Sequence, residues 1–181
     1  MSEKKWFALY TRSRAEKKVL VELEYAGIEA YLPLITRMRK WSDRIKKVEE
    51  PLFRSYIFVC IHENEYFTAL NVPGAMRFVT FESKAVEIPE KQIEAIRYYL
   101  NDPDSLDADE QPIAAGQLVR VKHGQMEGLI GRLMRYKNKH RLLVIIEAIG
   151  QTIMLNIPRT RVEVVNEAKK ETNGESSGKR R

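Results

Sequence analysis

The sequence predicts an α+β N-terminal domain, with a mixed sheet and helices, followed by a small all-β barrel of the SH3-like type. Through the first hundred or so residues, short apolar runs typical of strands alternate with stretches of helical spacing. An acidic, proline-containing segment follows, and after it come several short β-type runs punctuated by glycines. We therefore expect domains at 1–101 and 113–166, an acidic linker at 102–112 and a disordered tail at 167–181.

The chain begins with a predicted strand and helix. Trp6–Tyr10 is a short apolar and aromatic run, typical of a strand. Apolar residues then recur at helical spacing over Arg14–Ala26, and Gly27 is a natural residue just past a helix end. Ser13 stands three residues before Glu16, which is the spacing of a capping box. This pattern predicts the first helix.

The strongest strand signal is Leu52–Ile61, which is almost entirely apolar, aromatic or β-branched. If it is one strand, alternation puts one set of side chains on each face. The first set is Leu52, Arg54, Tyr56 and Phe58, and the second is Phe53, Ser55, Ile57, Val59 and Ile61. Before it, Ile28–Ile35 is predicted as a strand, and the charged segment Thr36–Glu50 as a β-hairpin or a mobile loop.

The remaining elements follow from the same patterns. Glu63–Asn71 suits a short helix and Met76–Phe81 a strand. Pro89 opens a second clear helix, and Asn101 precedes a break. The predicted strands of the C-terminal domain are Leu118–Val121, Ile130–Tyr136, Arg141–Glu147, Thr152–Ile157 and Val162–Val165.

Composition limits the protein classes. The net charge is +6 and the pI about 9.4, which moderately favours a polyanionic partner, although 25 acidic residues are interspersed. The lone Cys60 lies in an apolar run, as expected for core packing in a reducing, cytoplasmic setting. The N-terminus lacks a signal-peptide pattern, and the apolar run Leu142–Ile146 is too short to cross a bilayer.

The sequence contains no recognisable catalytic constellation. His62, His123 and His140 are scattered, without cysteine or carboxylate neighbours at metal-ligand spacing. Cys60 has no activating neighbour in sequence, and no P-loop, nucleophile-elbow or dinucleotide motif occurs. We therefore expect a protein that is not an enzyme and that has no metal or cofactor.

Basic residues crowd the start of the first helix. Arg12, Arg14 and Lys18 lie there with Lys17, although cations at a helix start oppose the helix dipole. A polyanion would be held by these charges and by the unpaired N–H groups of the helix start. A solvated helix face is the alternative explanation.

A second basic cluster surrounds an aromatic residue in the predicted hairpin. Cations with an aromatic ring can grip a phosphate backbone and stack on a base. An edge hairpin kept in solution by its charges is the alternative. The candidate nucleic-acid-binding residues here are Arg37, Arg39, Lys40, Trp41 and Arg44.

Aromatic residues mark the strong strand segment. Phe53, Tyr56 and Phe58 belong either to the core or to an interface. Pattern alone favours the core, since aromatic residues in strands usually pack inside.

Several stretches together resemble the NusG family of transcription elongation factors. In the first half they are Lys5-Trp-Phe-Ala-Leu-Tyr-Thr11, Glu16-Lys-Lys-Val19, Pro51-Leu-Phe-Arg-Ser-Tyr-Ile-Phe-Val59 and Pro73-Gly-Ala-Met-Arg-Phe-Val79. In the second half, Gly116-Gln-Leu-Val-Arg-Val-Lys-His-Gly-Gln-Met-Glu-Gly128, followed by Gly131, resembles a KOW domain. Trp41-Ser-Asp-Arg44 ahead of the strong strand is similar to specialised RfaH-type and UpxY-type antitermination paralogues, which typically control polysaccharide operons.

The resemblance implies a function and partners. The N-terminal domain would bind the clamp helices of the largest RNA polymerase subunit through Phe53, Tyr56 and Phe58, and so suppress pausing or termination. It would reach the opposite pincer through the segment near Glu65–Thr68. The residues implied to contact non-template or upstream DNA are those of the two basic clusters: Arg12, Arg14, Lys18, Arg37, Arg39, Lys40, Trp41 and Arg44.

The sequence departs from the family pattern in two places. Arg54 stands where many members have proline. Met126 and Ile149-Gly150-Gln151 stand where the general factor contacts termination factor Rho or a ribosomal protein, which puts those two partners in doubt. The competing function is a KOW-containing RNA-binding or ribosome-binding protein.

Overall fold

Two five-stranded sheets, two two-stranded hairpins and three α-helices form the computed structural model over its described residues, which are 3–40, 44–101, 116–136 and 139–165. The N-terminal elements are β1 (Lys5–Thr11), α1 (Glu16–Tyr25), β2 (Glu29–Tyr31), β3 (Leu34–Lys40), β4 (Ile45–Pro51), β5 (Tyr56–Ile61), α2 (Tyr66–Leu70), β6 (Ala75–Phe78), β7 (Thr80–Phe81), β8 (Lys84–Ala85), β9 (Glu87–Ile88) and α3 (Glu90–Asn101). The C-terminal elements are β10 (Gln117–Val121), β11 (Ile130–Tyr136), β12 (Lys139–Ile146), β13 (Gln151–Leu155) and β14 (Val162–Val164).

The N-terminal sheet is built around β1 and β5. Its strands lie in the order β2-β5-β1-β6, and β9 also pairs with β1. All these pairings are antiparallel, so the sheet is not mixed in the part of the chain that the structure describes. The prediction of an α+β N-terminal domain is confirmed.

Helices cover both faces of this sheet. On the first face, α1 and α2 contribute to a buried cluster with alternate residues of β1 and β5. On the second face, α3 contributes to another cluster with the intervening residues of the same strands. The first cluster includes Leu9, Val19, Leu23, Ile57 and Val59. The second includes Trp6, Ala8, Phe58, Ile93 and Ile96.

The C-terminal sheet is all-β, with strands in the order β13-β12-β11-β10-β14 and antiparallel pairing throughout. It contains the five strands predicted from the sequence. Within the described residues no pairing of β13 with β14 closes it, so the barrel remains a prediction. Its core is continuous with the α3 cluster, because β12 and β13 contact α3 and the 3₁₀ turn Glu147–Ile149 contacts β9.

Two predicted strands are divided by the fold. Ile28–Ile35 separates at Pro33 into β2 and the start of β3, which belong to different sheets. Proline has no N–H to give to a ladder, so it falls between the strands. Met76–Phe81 likewise divides into β6 of the main sheet and β7 of a small hairpin.

The predicted strand Leu52–Ile61 is also shorter than expected, because β5 begins only at Tyr56. Ser55 has φ of 63°, a left-handed conformation that ends any extended run before it. The Ser55 carbonyl accepts a hydrogen bond from Thr11 N–H at 2.9 Å. The Ser55 N–H donates to Glu16 Oε1 at 2.7 Å. This turn joins the end of β1, the start of α1 and the start of β5.

The ends of α1 give one correction and one confirmation. The predicted capping box of Ser13 and Glu16 is wrong: Ala15 occupies the N-cap position without a side-chain hydrogen bond. The Glu16 carboxylate turns instead toward Ser55. Gly27 ends the helix as predicted, with φ of 73°. Its N–H and that of Ile28 bond to carbonyls of the last turn.

Three predictions concern residues outside the described ranges. They are the acidic linker at 102–112, the tail at 167–181 and the hairpin residue Trp41. These stay predictions.

We expect replacement of Glu16 by alanine to destabilise the fold by about 1–3 kcal/mol, because the Ser55 N–H then loses its charged acceptor. Glu16→Gln keeps an acceptor oxygen and should lose less. Urea unfolding measures both changes, with the exposed Glu24→Ala as control, expected within about 0.5 kcal/mol of the parent chain. Equal losses for Glu16→Ala and Glu24→Ala would contradict this role.

Candidate functional site

An aromatic group lies on the second face of the N-terminal sheet. Successive residues of β5 alternate between faces, so Ile57 and Val59 enter the α1 cluster while Phe58 enters the α3 cluster. Phe58 is fully buried, Phe53 is 4% exposed and Tyr56 is half-buried. Of the three predicted partner-binding residues, Tyr56 alone keeps a substantial accessible surface in this arrangement.

Phe53 lies on the same side of the sheet as Phe58. The prediction of one continuous strand had placed Phe53 on the opposite face, with Ile57 and Val59, and is corrected here. The rings of Phe53 and Phe58 meet edge to face, with centroids 6.0 Å apart. The turn at Ser55 changes the alternation between Phe53 and β5, which explains the difference. The Tyr31 ring of β2 stacks with the Phe58 ring, with centroids 6.4 Å apart.

Tyr10 belongs to the same surface, although the sequence reasoning did not select it. Its backbone pairs with that of Tyr56 in the β1–β5 register, and the two ring centroids are 5.4 Å apart. The Arg77 guanidinium of β6 lies 5.4 Å from the Tyr10 ring centroid. Alternation along β1 puts Tyr10 on the same face as Trp6 and Ala8, which the sequence alone could indicate. Only the β1–β5 register shows that this face carries Phe58 and that Tyr10 lies beside Tyr56.

The C-terminal sheet and α3 complete the covering of this face. The buried residues around Phe58 continue into α3 and then into the core of the C-terminal sheet. Gln151 of β13 shares a groove with Leu52, Phe53 and Tyr56. The aromatic group therefore runs from a covered part at Phe53 and Phe58 to a half-exposed part at Tyr10 and Tyr56.

Arg97 of α3 makes cation–π contacts at the edge of the aromatic group. Its guanidinium carbon lies 5.0 Å from the Tyr31 ring centroid and 5.7 Å from the Trp6 ring centroid. Burial raises the pKa of Tyr31 to about 12, and the charge of Arg97 opposes that rise. Tyr31 is therefore a neutral packing group at ordinary pH.

Of the first basic cluster, only Arg14 lines a groove. Arg12, Arg14 and Lys18 are all exposed, and Arg14 has a left-handed φ of 63°. A groove of about 650 Å³ beside the start of α1 is lined by Arg14 and Lys17, and on its other wall by Arg39 and Arg54. Arg12 and Lys18 do not line it. Lys17 and Arg54 do, although neither was selected as a site residue.

The second basic cluster is divided between the two faces of the β3–β4 hairpin. The pairing of Arg37 with Val48 and of Arg39 with Lys46 places both arginines on one face. Lys40, which pairs with Ile45, lies on the opposite face. Arg44 is exposed just before β4. The sequence cluster is therefore not a single patch.

Glu50 organises the groove-facing side of this hairpin. Its carboxylate pairs with Arg39 Nε at 2.5 Å. The hydrogen bond from Arg39 lowers the pKa of Glu50, and the charges of Arg37 and Arg54 act in the same direction. Three arginines thus lie close to one carboxylate, which remains ionised.

The described residues form neither a metal-ligating cluster nor a membrane-spanning helix. Among the described side chains, no group of three or more histidine, cysteine, aspartate or glutamate residues could hold a metal ion. The described helices are all too short or too polar to span a membrane.

A family model matches the N-terminal part of the chain, and several solved structures are similar over most of its length. A family model described as "Transcription termination factor nusG" matches residues 4–97. A solved structure of domain interaction in Thermotoga maritima NusG is similar, with 21% identity and a TM-score of 0.47, over 90% of this chain and 98% of that chain. Two conformations of the MjSpt4:Spt5 complex are also similar. Conformation B has 17% identity and a TM-score of 0.32, over 91% of this chain and 99% of that chain. Conformation A has 16% identity and a TM-score of 0.30, over 90% and 99%.

The raised pKa of Tyr31 predicts a loss of stability at high pH. The unfolded phenol ionises near pH 10 and the folded one near pH 12. The contribution of the neutral Tyr31 to the free energy of unfolding is therefore complete below pH 10 and is lost progressively as the pH rises to 12. Tyr31→Phe should reduce this alkaline loss by up to about 1 kcal/mol between pH 9 and pH 11, allowing for solvent screening of the partly exposed ring, as measured by urea unfolding. Tyr25→Phe, at a ring 85% exposed, is the control and should keep the parent decline. Identical declines in the parent chain and Tyr31→Phe would contradict the assignment.

Proposed function

Because the chain belongs to the NusG family of transcription factors, we propose that it is an elongation and antitermination factor that binds the clamp helices of RNA polymerase. The half-exposed tyrosine pair Tyr10 and Tyr56, continuous with the covered rings of Phe53 and Phe58, is the observation that carries this proposal. In this role the protein is not an enzyme, acts in the cytoplasm and suppresses pausing or termination.

Aromatic surface of this kind suits a helical partner. Tyrosine rings supply large apolar area at a low cost in side-chain entropy, and their hydroxyl groups tolerate partial exposure. The Tyr10–Tyr56 pair offers such a surface at one end of the sheet, with Arg77 beside it. Polymerase would engage this exposed end first.

Full engagement requires the C-terminal sheet to move. Phe53 and Phe58 are buried in the cluster that α3 and the C-terminal sheet complete, so a partner reaches them only after that cover is displaced. The apparent affinity for polymerase is then lowered by the fraction of molecules that remain docked. The C-terminal sheet, which we propose is a KOW domain, thereby weakens polymerase binding until the sheet is displaced.

A second contact on the opposite side of the sheet would let the protein bridge the polymerase cleft. Tyr66 of α2 stacks on Phe78 at 4.3 Å, and both belong to the α1 side of the sheet. Phe67 beside it is 70% exposed. With Tyr56 on one face and Phe67 on the other, one rigid domain can touch both pincers. A ligand that prefers the closed clamp lowers the population of paused, open states.

Nucleic acid is the proposed second partner. Arg12, Arg14 and Lys18 are exposed at the start of α1, where they are available to the non-template strand. Arg37, Arg39, Lys40 and Arg44 lie exposed on the two faces and at the end of the hairpin, where they would face upstream DNA. Phosphate contacts of this kind orient a strand without reading its sequence.

The proposed specialisation is that of an RfaH-type or UpxY-type paralogue serving a polysaccharide operon. The departures in the C-terminal sheet support a specialised factor, since Met126 is 3% exposed and Ile149 8% exposed. Buried side chains at those positions offer little surface to Rho or to a ribosomal protein. We therefore do not extend the proposal to those partners.

Polymerase binding should depend on the tyrosine pair. Tyr10→Ala combined with Tyr56→Ala is expected to weaken binding to core polymerase at least tenfold, because both half-exposed rings are removed from the contact. Co-purification and a titration with labelled protein measure this, after circular dichroism has shown an unchanged fold. Tyr25→Ala, which removes a ring 85% exposed on α1, is the matched control and should bind normally. Normal binding by the double variant would refute the assignment, and ribosome co-sedimentation in place of polymerase binding would favour the ribosome-binding alternative.

Displacement of the C-terminal sheet should be visible by hydrogen exchange. On adding core polymerase, amide exchange should rise in the turn Glu147–Ile149 and fall in β5, because the first loses its packing partner and the second gains one. Unchanged exchange in Glu147–Ile149 at saturating polymerase would show that the sheet stays docked.

A further inference from the structure

The two faces of the C-terminal sheet differ in what lies against them. Alternate residues of its strands, such as Leu142 and Val144, enter the cluster that α3 completes. The residues between them form the other side of the sheet, which we call the outer face. The strand registers place its members in three rows across the sheet: Met134 with Arg141; Leu118, Arg132, Leu143 and Met154; and Arg120, Ile130, Ile145 and Thr152.

The outer face combines apolar side chains with cations. Arg120, Arg132 and Arg141 stand there among leucine, isoleucine and methionine side chains. Within the five described strands, Glu163 beside Arg120 is the only carboxylate on this face. Residues 116–165 as a whole carry nine lysines and arginines and three glutamates, a net charge of +6. The outer face therefore suits a ligand that is acidic and partly apolar.

One end of the outer face is already buried. Leu143 is 6% exposed and Arg141 8%, although alternation along β12 points both away from the α3 cluster. Ile130 and Ile145, at the other end of the face, are exposed. A guanidinium as deeply buried as that of Arg141 needs acceptors around it, and Arg141 does have an interaction partner. The occupant of this face therefore belongs at the end that carries Arg141 and Leu143.

The connection from α3 to β10 has a short route over this face. It comprises residues 102–115, and α3 lies against β12 and β13. β10 lies three strand spacings from β13, about 14 Å, because β12 and β11 stand between them. Fourteen residues extend over at most about 50 Å, so the crossing is well within their reach. The shared core fills the inner face, which leaves the outer face for the crossing.

Gly116 fixes the place where this connection joins the sheet. Its carbonyl accepts a hydrogen bond from Arg132 Nη1 at 3.0 Å, on the outer face. A Cβ atom at Gly116 would clash with the Leu133 carbonyl oxygen and meet Met134 Cγ at 3.5 Å, so the backbone lies directly on β11. The connection therefore joins the sheet at the row of Met134 and Arg141, which is the buried end of the face.

We propose that the acidic linker at 102–112 docks across the outer face, with carboxylates on Arg132 and Arg141 and with Leu106 against Leu143. The tail at 167–181 has a net charge of +2, which this basic face repels, so charge selects the linker and not the tail. The linker contains no lysine or arginine, and its five carboxylates are Asp102, Asp104, Asp107, Asp109 and Glu110.

Docking of the linker has two effects on the protein. It covers apolar and basic surface that would otherwise attract unrelated anions. It also shortens the connection between α3 and β10, so the C-terminal sheet stays near the N-terminal domain when its contact with α3 is broken. Both effects weaken as salt screens the ion pairs.

Native methionines report this docking in the full chain, without polymerase. Met134 and Met154 are half-buried on the outer face, whereas Met38 and Met76 are exposed elsewhere. Changing the four linker aspartates to asparagine keeps their shape and removes their charge. Peroxide oxidation of Met134 and Met154 should then accelerate at least about threefold, while Met38 and Met76 change less than about 1.5-fold. Peptide mass spectrometry measures the four rates together. The substitutions are Asp102→Asn, Asp104→Asn, Asp107→Asn and Asp109→Asn.

A matched pair of arginine variants tests the face itself. Arg141→Gln removes a proposed partner of the linker and should give the same acceleration. Arg161→Gln removes one charge beside Lys122, at the far end of β10 from Gly116, and should leave the rates unchanged. Equal effects of the two variants would overturn the proposal. Circular dichroism shows whether Arg141→Gln folds. The aspartate variant alters no described residue, and unchanged oxidation of Met134 and Met154 in that variant overturns the proposal alone.

Photochemical crosslinking identifies what occupies the face. With Leu106 replaced by p-benzoylphenylalanine, crosslinks within one chain should form at Met134, Leu143 or Met154. Their yield should fall at least about threefold when the salt concentration rises from about 0.05 to about 0.5 M. Crosslinks to the N-terminal domain would overturn the proposal, and so would crosslinks between chains that increase with protein concentration. Neither assay contains polymerase, so failure of this inference leaves the proposed function untouched.

Discussion

The hydrogen bond from Ser55 N–H to the buried Glu16 carboxylate is the constraint on which the working surface depends. It holds a left-handed turn at the start of β5 against the start of α1, and Thr11 of β1 secures the same turn through its backbone. A one-residue shift at this point would exchange the faces of every side chain in β5. Tyr56 and Phe58 would then point into the α1 cluster. One local bond thus sets the position of the proposed polymerase-binding surface.

Much of the fold could be predicted because local patterns dominate it. The five C-terminal strands and the helix that ends at Gly27 follow from apolar spacing and turn residues alone. The segment Leu52–Ile61 could not be divided correctly, because the turn falls at Arg54 and Ser55, and serine is not a residue whose type predicts a left-handed conformation. The capping-box prediction failed for a related reason: the partner of Glu16 is 39 residues away in sequence, where local spacing gives no information.

The candidate site was predictable in its residue types but not in its arrangement. The hairpin cluster was recognised as basic, yet only the β3–β4 register shows that Arg37 and Arg39 share a face that Lys40 does not. Tyr10 became a candidate only through its pairing with Tyr56, and Arg54 only through the groove beside the start of α1. Pattern alone favoured a buried Phe58, but not the joint cluster in which Phe58 lies with α3 and the core of the C-terminal sheet, because those residues lie far along the chain.

The position of Cys60 has a practical consequence for measuring how the covered face of the N-terminal sheet opens. It is the only cysteine in the chain, it is 8% exposed, and it lies on the face that α3 covers. Burial also raises the pKa of its thiol, which slows alkylation because the thiolate is the reactive form. The native chain therefore contains an internal chemical probe whose labelling rate reports how often that face opens. A second cysteine placed on an exposed loop would accept a fluorophore selectively while Cys60 remains protected.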